Sequence, residues 1–554
     1  MILYFLFKEG IFLIDVEYCY VDKNDTYIQV ISFLRQCSKL GVYITKGIIK
    51  EENGMDATLN ARIRHSGLEG KIVSAETAAS WIQDGMIVGM SGFTRAGDAK
   101  TVPLALVEKA KQEKFQIDVY TGASLGPEVD QLMAEAGIIR KRAPYQGDAA
   151  IRKLINTGQV LYSDMHLSHN AELFRQGILG PIDFAIVEAT AITEDGMIIP
   201  TTSIGNTPII VQMAKEVIIE LNPEQPNLEG IHDIYLPGPQ GERDPIPLLT
   251  ASDRIGTTGI PVDINKIKGI VHSTIKDAPS LIVQPDEETE QIAQHLLTFL
   301  RDEIKAGRLP KNLLPLQSGV GSVANAVLNG FLNSEFEELE IYSEVLQDAV
   351  FHLLDANKVK IASGTSITLS EECGNKVYGN IDHYKDRLVL RPQEISNHPE
   401  VIRRIGIIAI NTALEVDIYG NVNSTHVNGT HMMNGLGGSG DFTRNARIGI
   451  FVTKSYAKGG DISSIVPMVA HHDHTEHDVD VIATEQGIAD LRGMAPKERV
   501  KAIIENCVHP DFKEALWEYY NSAVEKTGNA HTPHDLEKAL SWHVNYQKNK
   551  TMKQ

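Results

Sequence analysis

A glutamate placed between two glycine-rich loops is the strongest chemical signal in the chain. Glu344 follows Ile341-Tyr342-Ser343 and precedes Val345-Leu346-Gln347-Asp348, so an apparent strand gives way to a helix at the carboxylate. Upstream lies Gln317-Ser318-Gly319-Val320-Gly321-Ser322-Val323-Ala324; downstream lies Asn434-Gly435-Leu436-Gly437-Gly438-Ser439-Gly440-Asp441-Phe442. Glycine lets backbone N–H groups crowd a ligand, where they hold phosphates or a developing oxyanion. A carboxylate between two such loops is placed to act as a covalent nucleophile on an activated acyl group.

Each motif taken singly has a second reading. Gly319-Val320-Gly321-Ser322-Val323-Ala324, after a strand and opening a helix, fits the relaxed dinucleotide fingerprint, with Glu344 at the end of the next strand to hold a ribose hydroxyl. Glu344 also reads as a helix N-terminal carboxylate favoured by the macrodipole, and Gly435 to Gly440 as a flexible turn. The second glycine loop has no role in a dinucleotide site, but motif physics alone leaves both readings open. The run His471-His472-Asp473-His474-Thr475-Glu476-His477-Asp478 is too dense for one tetrahedral metal site and has no cysteine beside it. It reads as a polar loop entering the strand at Val479, and no metal is expected. The chain has no G-x-S-x-G elbow for a serine nucleophile.

Alternating strands and helices must position these groups. From about Lys71, a helix is predicted at Ala75 to Gln83 and a strand at Met86 to Met90. Helical spacing follows at Leu104 to Lys111, then strands at Gln116 to Tyr120, Phe184 to Glu188, Met197 to Ile199 and Glu216 to Glu220. Past Ile270 the pattern restarts with a long helix from Glu287 to Ala306, then the first glycine loop, a helix to Leu332 and the strand ending at Glu344. Repeated βα units imply parallel sheets covered by helices, with ligands at the C-terminal ends of the strands. The Pro- and Gly-rich stretch from Leu236 to Pro245 is an excursion within the first half.

Bulk properties bound the function. A chain of 554 residues exceeds one core, so two domains are the default. Its 52 basic and 72 acidic side chains give a net charge of −20, with no basic stripe for nucleic acid. An anionic ligand therefore needs a local positive pocket. Four cysteines (Cys19, Cys37, Cys373, Cys507) form no framework or metal spacing, which suits a reducing cytoplasm. Met1 to Phe7 is apolar but is interrupted by Lys8 and Glu9 before it could span a membrane, and it lacks the flanks of a secretory signal. Residues 1–54 differ in texture from the rest. Lys50-Glu51-Glu52 is encodable by a purine-only ribosome-binding site just upstream of Met55, so residues 1–54 are expected to be a non-native extension. The boundaries expected are 55–275 for an N-terminal domain, 276–528 for a C-terminal domain carrying the glutamate, and 529–554 for a polar, weakly ordered tail.

Four segments carry a resemblance: Ile341 to Asp348, Ala413 to His426, Asn434 to Phe442, and Thr484 to Gly493. Together they closely resemble the acetyl-CoA hydrolase/transferase family, within it the succinyl-CoA:acetate branch of class I CoA-transferases. The likeness runs from about Lys71 to about Gly528 and decides against the dinucleotide reading. It implies an α/β fold of two CoA-transferase-type domains with mainly parallel open sheets flanked by helices. It also implies a homodimer and ping-pong transfer of CoA between an acyl-CoA and a small carboxylate, acetate or succinate. No cofactor is implied, since coenzyme A is a substrate, and neither nucleic acid nor membrane is an expected partner.

By position, Glu344 matches the family's nucleophile, and the backbone N–H groups of Val320 and Gly438 its oxyanion hole. Gly319, Val320, Gly321, Ser322 and Val323, with Leu414, Asn434, Gly438 and Lys458, match the CoA site, Lys458 facing the phosphates. Asn397 and Glu485 match polar residues near the acyl pocket. Ala96-Gly97-Asp98-Ala99-Lys100 departs from the loop expected after Ser91-Gly92-Phe93-Thr94, on the N-domain side of the carboxylate pocket. Glu344, with an ordinary pKa, would be ionised at neutral pH and need no general base. The same nucleophile would serve an acyl-CoA hydrolase, in which water takes the acyl group. A non-catalytic CoA-binding module is the third class, and the intact glutamate and loops argue against it.

Overall fold

The computed structural model describes residues 2–7, 10–15, 61–280, 285–319 and 321–553. The chain divides into two compact units, Met1–Ala61 and Arg62–Gln554. In the first, β1 (Ile2–Phe7) pairs antiparallel with β2 (Gly10–Asp15). The remainder of the expected 1–54 extension lies outside the described residues, as does Val320.

The second unit contains two large sheets. Seven strands build the first: β3 (Ile87–Met90), β4 (Ile117–Tyr120), β5 (Ile139–Ala143), β6 (Leu161–Tyr162), β7 (Phe184–Ala189), β8 (Glu216–Leu221) and β9 (Ile267–His272). Their spatial order is β9-β8-β7-β3-β4-β5-β6, every pairing parallel. The second has β10 (Leu316–Ser318), β11 (Leu339–Tyr342), β12 (Val359–Gly364), β13 (Leu388–Leu390), β14 (Ile408–Thr412), β15 (Ile448–Val452), β16 (Val481–Thr484) and β17 (Gly487–Asp490). These lie in the order β13-β12-β11-β10-β14-β15-β16-β17, parallel except for the last pair.

Both sheets obey one plan. The first strand of each half is central, the next three step outward on one side, and the chain then returns to the other side. The order therefore reverses between β3 and β7 and again between β10 and β14. A crevice opens at such a switch point, outside the carboxyl ends of the strands. Glu344 follows β11, the neighbour of β10, and so stands at the rim of the second crevice.

Helices cover the sheets: α1 (Ala75–Ser80), α2 (Thr101–Ala110), α3 (Ala149–Asn156), α4 (Leu167–Arg175), α5 (Glu287–Lys305), α6 (Ser322–Gly330), α7 (Asp348–Asp355), α8 (Gln393–Ser396), α9 (Ser439–Asn445) and α10 (Ser541–Asn549) among them. Local sequence sets their ends. Asp286 and Thr289 form a capping box for α5, whose first turn is acidic and whose Ile292, Leu296, Leu297 and Leu300 are buried at helical spacing. Asp148 caps α3 by accepting from Ala150 N at 2.8 Å. The buried run Phe184–Ala189 needs no alternation, because a central parallel strand is covered on both faces.

Two elements depart from the sequence reading. Strand β5, Ile139-Arg140-Lys141-Arg142-Ala143, is too polar to be marked by hydrophobic pattern. It is held because fully buried Arg142 donates to Asp130 at 3.0 Å, Thr121 Oγ1 at 2.7 Å and Ala123 O at 2.8 Å. The expected polar tail over 529–554 is instead packed. Trp542 of α10 is 2% exposed and joins Tyr419, Phe512, Leu516 and Met552 in one apolar cluster. His543 Nε2 lies 2.8 Å from Glu415 Oε2. A few buried groups among many polar ones anchor this segment, which average composition conceals.

Candidate active site

A cleft of about 340 Å³ opens where loops of both sheets meet. The first sheet contributes Phe93 and Thr94 after β3, Ala123 after β4, and Tyr145 after β5; helices α3 and α4 add Arg152 and Leu167. From the second come Gly319 after β10, Glu344 and Val345 after β11, and Asn411 to Leu414 at the end of β14. The second glycine loop, Asn434 to Ser439, closes one side. Arg152 and Glu344 are the only charged side chains among the described lining residues.

Glu344 is 6% exposed and fixed at both ends. Its carbonyl accepts from Thr365 N at 2.7 Å and Ser366 N at 3.1 Å, tying the backbone to the turn after β12. Asn397, just past α8, donates from Nδ2 to Glu344 Oε1 at 2.9 Å, and its own Oδ1 accepts from Ser396 Oγ at 2.7 Å. The Gly438 N–H also bonds the carboxylate. Burial pushes the Glu344 carboxyl up to about 7, and the bonds from Asn397 and Gly438 oppose that rise. The expectation of an ordinary carboxylate is therefore corrected: enclosure by two loops removes the water that keeps an exposed glutamate acidic.

Gly438 is required by close approach rather than by backbone conformation, since its φ is −91°. A Cβ there would overlap Glu344 Oε1 and Asn397 Nδ2. Asp441, three residues on, is buried and accepts from Ser168 N at 3.0 Å and Ser168 Oγ at 2.6 Å. The first half also grips the loop's other end. Leu436 N donates to Asp164 at 2.7 Å, and Arg152 Nη1 donates to Met433 O at 2.8 Å. Tyr145 packs on Gly435 and Gly437. Burial, with the charges of Asp164 and Glu344, pushes the Tyr145 phenol up to about 12, so it stays a neutral donor.

The structure brings together Glu344, Asn397, Gly438, Gly319, Leu414 and Asn434. It does not bring in Gly321, Val323, Lys458 or Glu485 as lining residues. Gly321 is exposed at φ 140°, a conformation that favours glycine, and Ser322 opens α6 behind it. Lys458 is exposed on a short turn following the strand Tyr456–Ala457. The Glu485 carboxylate accepts from Ser455 N at 2.8 Å and from Ser455 Oγ, and so braces the loop after β15.

The unusual Ala96–Lys100 segment also turns away from the cleft. Asp98 accepts from Gly126 N at 3.0 Å, while buried Lys100 pairs with Glu188 at 2.9 Å and Asp277 at 2.8 Å. That buried pairing anchors the loop whose Phe93 and Thr94 reach the cleft, Thr94 O accepting from Thr368 Oγ1 at 3.0 Å. In the histidine-rich run, His474 is buried against Phe451 and lies 3.1 Å from Ser439 Oγ; burial pushes its pKa down to about 4. Among the described residues no three His, Cys, Asp or Glu side chains are placed to hold a metal ion.

Sequence reasoning missed Tyr145, Arg152, Leu167 and Asp441 as site-forming residues. Only Asp441 carried a signal, as the acidic end of a glycine loop. The others lie in the first half and reach the cleft through tertiary packing alone.

Residues 57–272 match the acetyl-CoA hydrolase/transferase N-terminal domain, and residues 374–520 the C-terminal domain of the same family. The chain is 53% identical over 495 residues to a succinyl-CoA:acetate CoA-transferase of Clostridium kluyveri, covering 89% of this chain and 92% of the relative. It is 43% identical over 517 residues to an acetyl-CoA hydrolase of Candida albicans, covering 90% and 98%. A 4-hydroxybutyrate CoA-transferase structure from Porphyromonas gingivalis shares the fold at a TM-score of 0.58 and 22% identity, over 82% of this chain and 97% of that one.

Proposed function

Since the chain belongs to the acetyl-CoA hydrolase/transferase family, we propose that it is an acyl-CoA:carboxylate CoA-transferase of the succinyl-CoA:acetate type. The observation that carries this reading is the buried Glu344, held by Asn397 and Gly438 in a cleft lined by both glycine loops. Ionised Glu344 attacks the thioester carbonyl, and the resulting oxyanion is held by backbone donors, the N–H groups of Gly438 and Val320. Each such donor contributes about 3 kcal/mol in comparable acyl transfers. The carbonyl re-forms, CoA thiolate leaves, and the acyl group remains on Glu344 as a mixed anhydride. The thiolate then attacks the glutamyl carbonyl, releasing the first acid and leaving a Glu344–CoA thioester. A second carboxylate reverses these steps and departs as the new acyl-CoA.

Burial serves this chemistry in two ways. It raises the basicity of the carboxylate, and it keeps water from the anhydride. Coenzyme A acts as a substrate, and no metal or organic cofactor enters any step. Lys458, exposed beyond the cleft, supplies positive charge to the CoA phosphates on a chain whose net charge of −20 repels them. The active form is a cytoplasmic homodimer.

The relative named an acetyl-CoA hydrolase supports a second reading, in which water attacks the acyl-enzyme. Mixing with acetyl-CoA, then reduction with borohydride and intact-mass measurement, separates the two when free thiol is followed with and without succinate. A transferase gives a Glu344–CoA adduct, an alcohol at Glu344 after reduction, and succinyl-CoA without net thiol. Steady thiol release that is indifferent to added acid, with no adduct, would establish the hydrolase.

A further inference from the structure

The cation in the cleft has no role in the transfer steps. Arg152 lies on α3, is half-buried and lines the same cleft as Glu344. Among the described residues no carboxylate pairs with it, and its guanidinium makes a single hydrogen bond, from Nη1 to Met433 O at 2.8 Å. Arginines enclosed elsewhere are matched: Arg142 to Asp130, Arg175 to Glu394 and Arg391 to Asp233. In a chain with 72 acidic side chains, an unmatched guanidinium turned to a cleft stands apart.

Bracing the loop does not explain its charge. Asn156, one turn further along α3, already holds the segment before Asn434 from both sides. Its Nδ2 donates to Met432 O at 2.8 Å, and its Oδ1 accepts from Met432 N at 2.9 Å. A neutral amide suffices there. The bond to Met433 O occupies one of the guanidinium N–H groups, and the planar fork that is left matches a carboxylate.

Arg152 and Glu344 stand at the two ends of one loop. Arg152 holds Met433, just before Asn434, while Gly438 at the other end donates to Glu344. A dicarboxylic acyl group bonded at Glu344 brings a second carboxylate into this cleft. There it meets a nucleophile of like charge and, among the described lining residues, no cation but Arg152. Left unpaired, an enclosed carboxylate is strongly disfavoured. The CoA phosphates do not compete for the same cation, because the pantetheine arm keeps them far from the thioester and outside a cleft of about 340 Å³.

We propose that Arg152 is a specificity-determining residue: it binds the second carboxylate of a short dicarboxylic acid of the succinate class, and so favours the diacid over monocarboxylates such as propionate. This rests on the transferase reading of the cleft.

The test measures kcat/KM in the full chain for succinate, propionate and succinamate, the singly charged amide of succinate, with acetyl-CoA as donor. The parent should favour succinate over succinamate by about tenfold or more, the loss of a hydrogen bond between charged groups. Arg152→Met should lower kcat/KM for succinate by about as much, mostly through KM, leave propionate within about twofold and abolish the preference over succinamate. Arg152→Lys keeps the charge without the fork and should fall between. Asn156→Ala removes the neighbouring brace and should leave the succinate-to-propionate ratio in place. Equal losses for succinate and propionate in Arg152→Met, or a ratio that moves as far in Asn156→Ala, would overturn the proposal and leave Arg152 as a brace. A raised KM for acetyl-CoA with the acid preference unmoved would also overturn it, by turning the cation toward the CoA phosphates. If Arg152→Met does not fold, a parent that treats succinate and succinamate alike overturns it without any variant. Steady thiol release by the parent with no transfer to any acid would count against the transferase reading itself, an outcome separate from those of the variants.

Discussion

Removing the Asn397 amide should slow thioester formation by an amount the geometry fixes. Its Nδ2 lies 2.9 Å from Glu344 Oε1 in a buried setting, and the ionised form of Glu344 is the one it stabilises. A hydrogen bond to a charged group contributes about 1.5–3 kcal/mol. At 1.36 kcal/mol per unit, Asn397→Ala should raise the Glu344 pKa by roughly one to two units. Starting from about 7, the ionised fraction at pH 7 would fall from about one half to between roughly a tenth and a hundredth, a loss of about five- to fiftyfold. Quenched-flow measurement of adduct formation from acetyl-CoA between pH 6 and 9 reads this directly. The parent rate should rise to a plateau above pH 7, and the variant should rise later and recover most of its loss by about pH 9. A deficit of constant size across that range would refute the reasoning, because Asn397 would then act on the transition state and not on ionisation.

Three further outcomes follow from the same geometry. Glu344→Gln should stabilise the protein at pH 8 but not at pH 4. The native carboxyl, raised from 4.5 to about 7, binds more protons than the unfolded one, so stability falls as pH rises through that window by up to about 3 kcal/mol. Paired thermal unfolding at the two pH values checks this, and equal shifts would contradict it. Gly438→Ala should fold normally, since its φ is −91°, yet lose adduct formation at least a hundredfold because the new methyl overlaps Glu344 and Asn397; circular dichroism and intact mass together test it. Trp542→Ala should cost about 3–5 kcal/mol in urea unfolding, as a fully buried aromatic does. A change below 1 kcal/mol would mean that α10 is not part of the core.

Much of the fold was legible because its central strands are covered on both faces and therefore read as apolar runs. Strand β7 from Phe184 and β8 from Glu216 fall within a residue of the pattern. Helix α5 was legible for a different reason, its apolar stripe and acidic first turn. Strand β5 was hidden because its arginines are paid in ion pairs that no local pattern shows. The tail was hidden because Trp542, His543 and Met552 carry its packing amid exposed lysines and asparagines.

The sequence by itself determined the chemistry: a glutamate at a strand end, two glycine loops in order around it, and the family those motifs mark. Covalent identity and spacing are local properties, and they survive without knowledge of any contact. Only the tertiary structure decided the state and company of that glutamate. Its pKa depends on the water excluded by a loop that begins 90 residues away in sequence, from Glu344 to Asn434, and on an amide supplied by Asn397. Tyr145, Arg152 and Leu167 reached the cleft through packing of one half against the other, and Glu485 met Ser455 across neighbouring strand ends of the second sheet. Desolvation and approach are properties of enclosed space, which a chain acquires only when it folds.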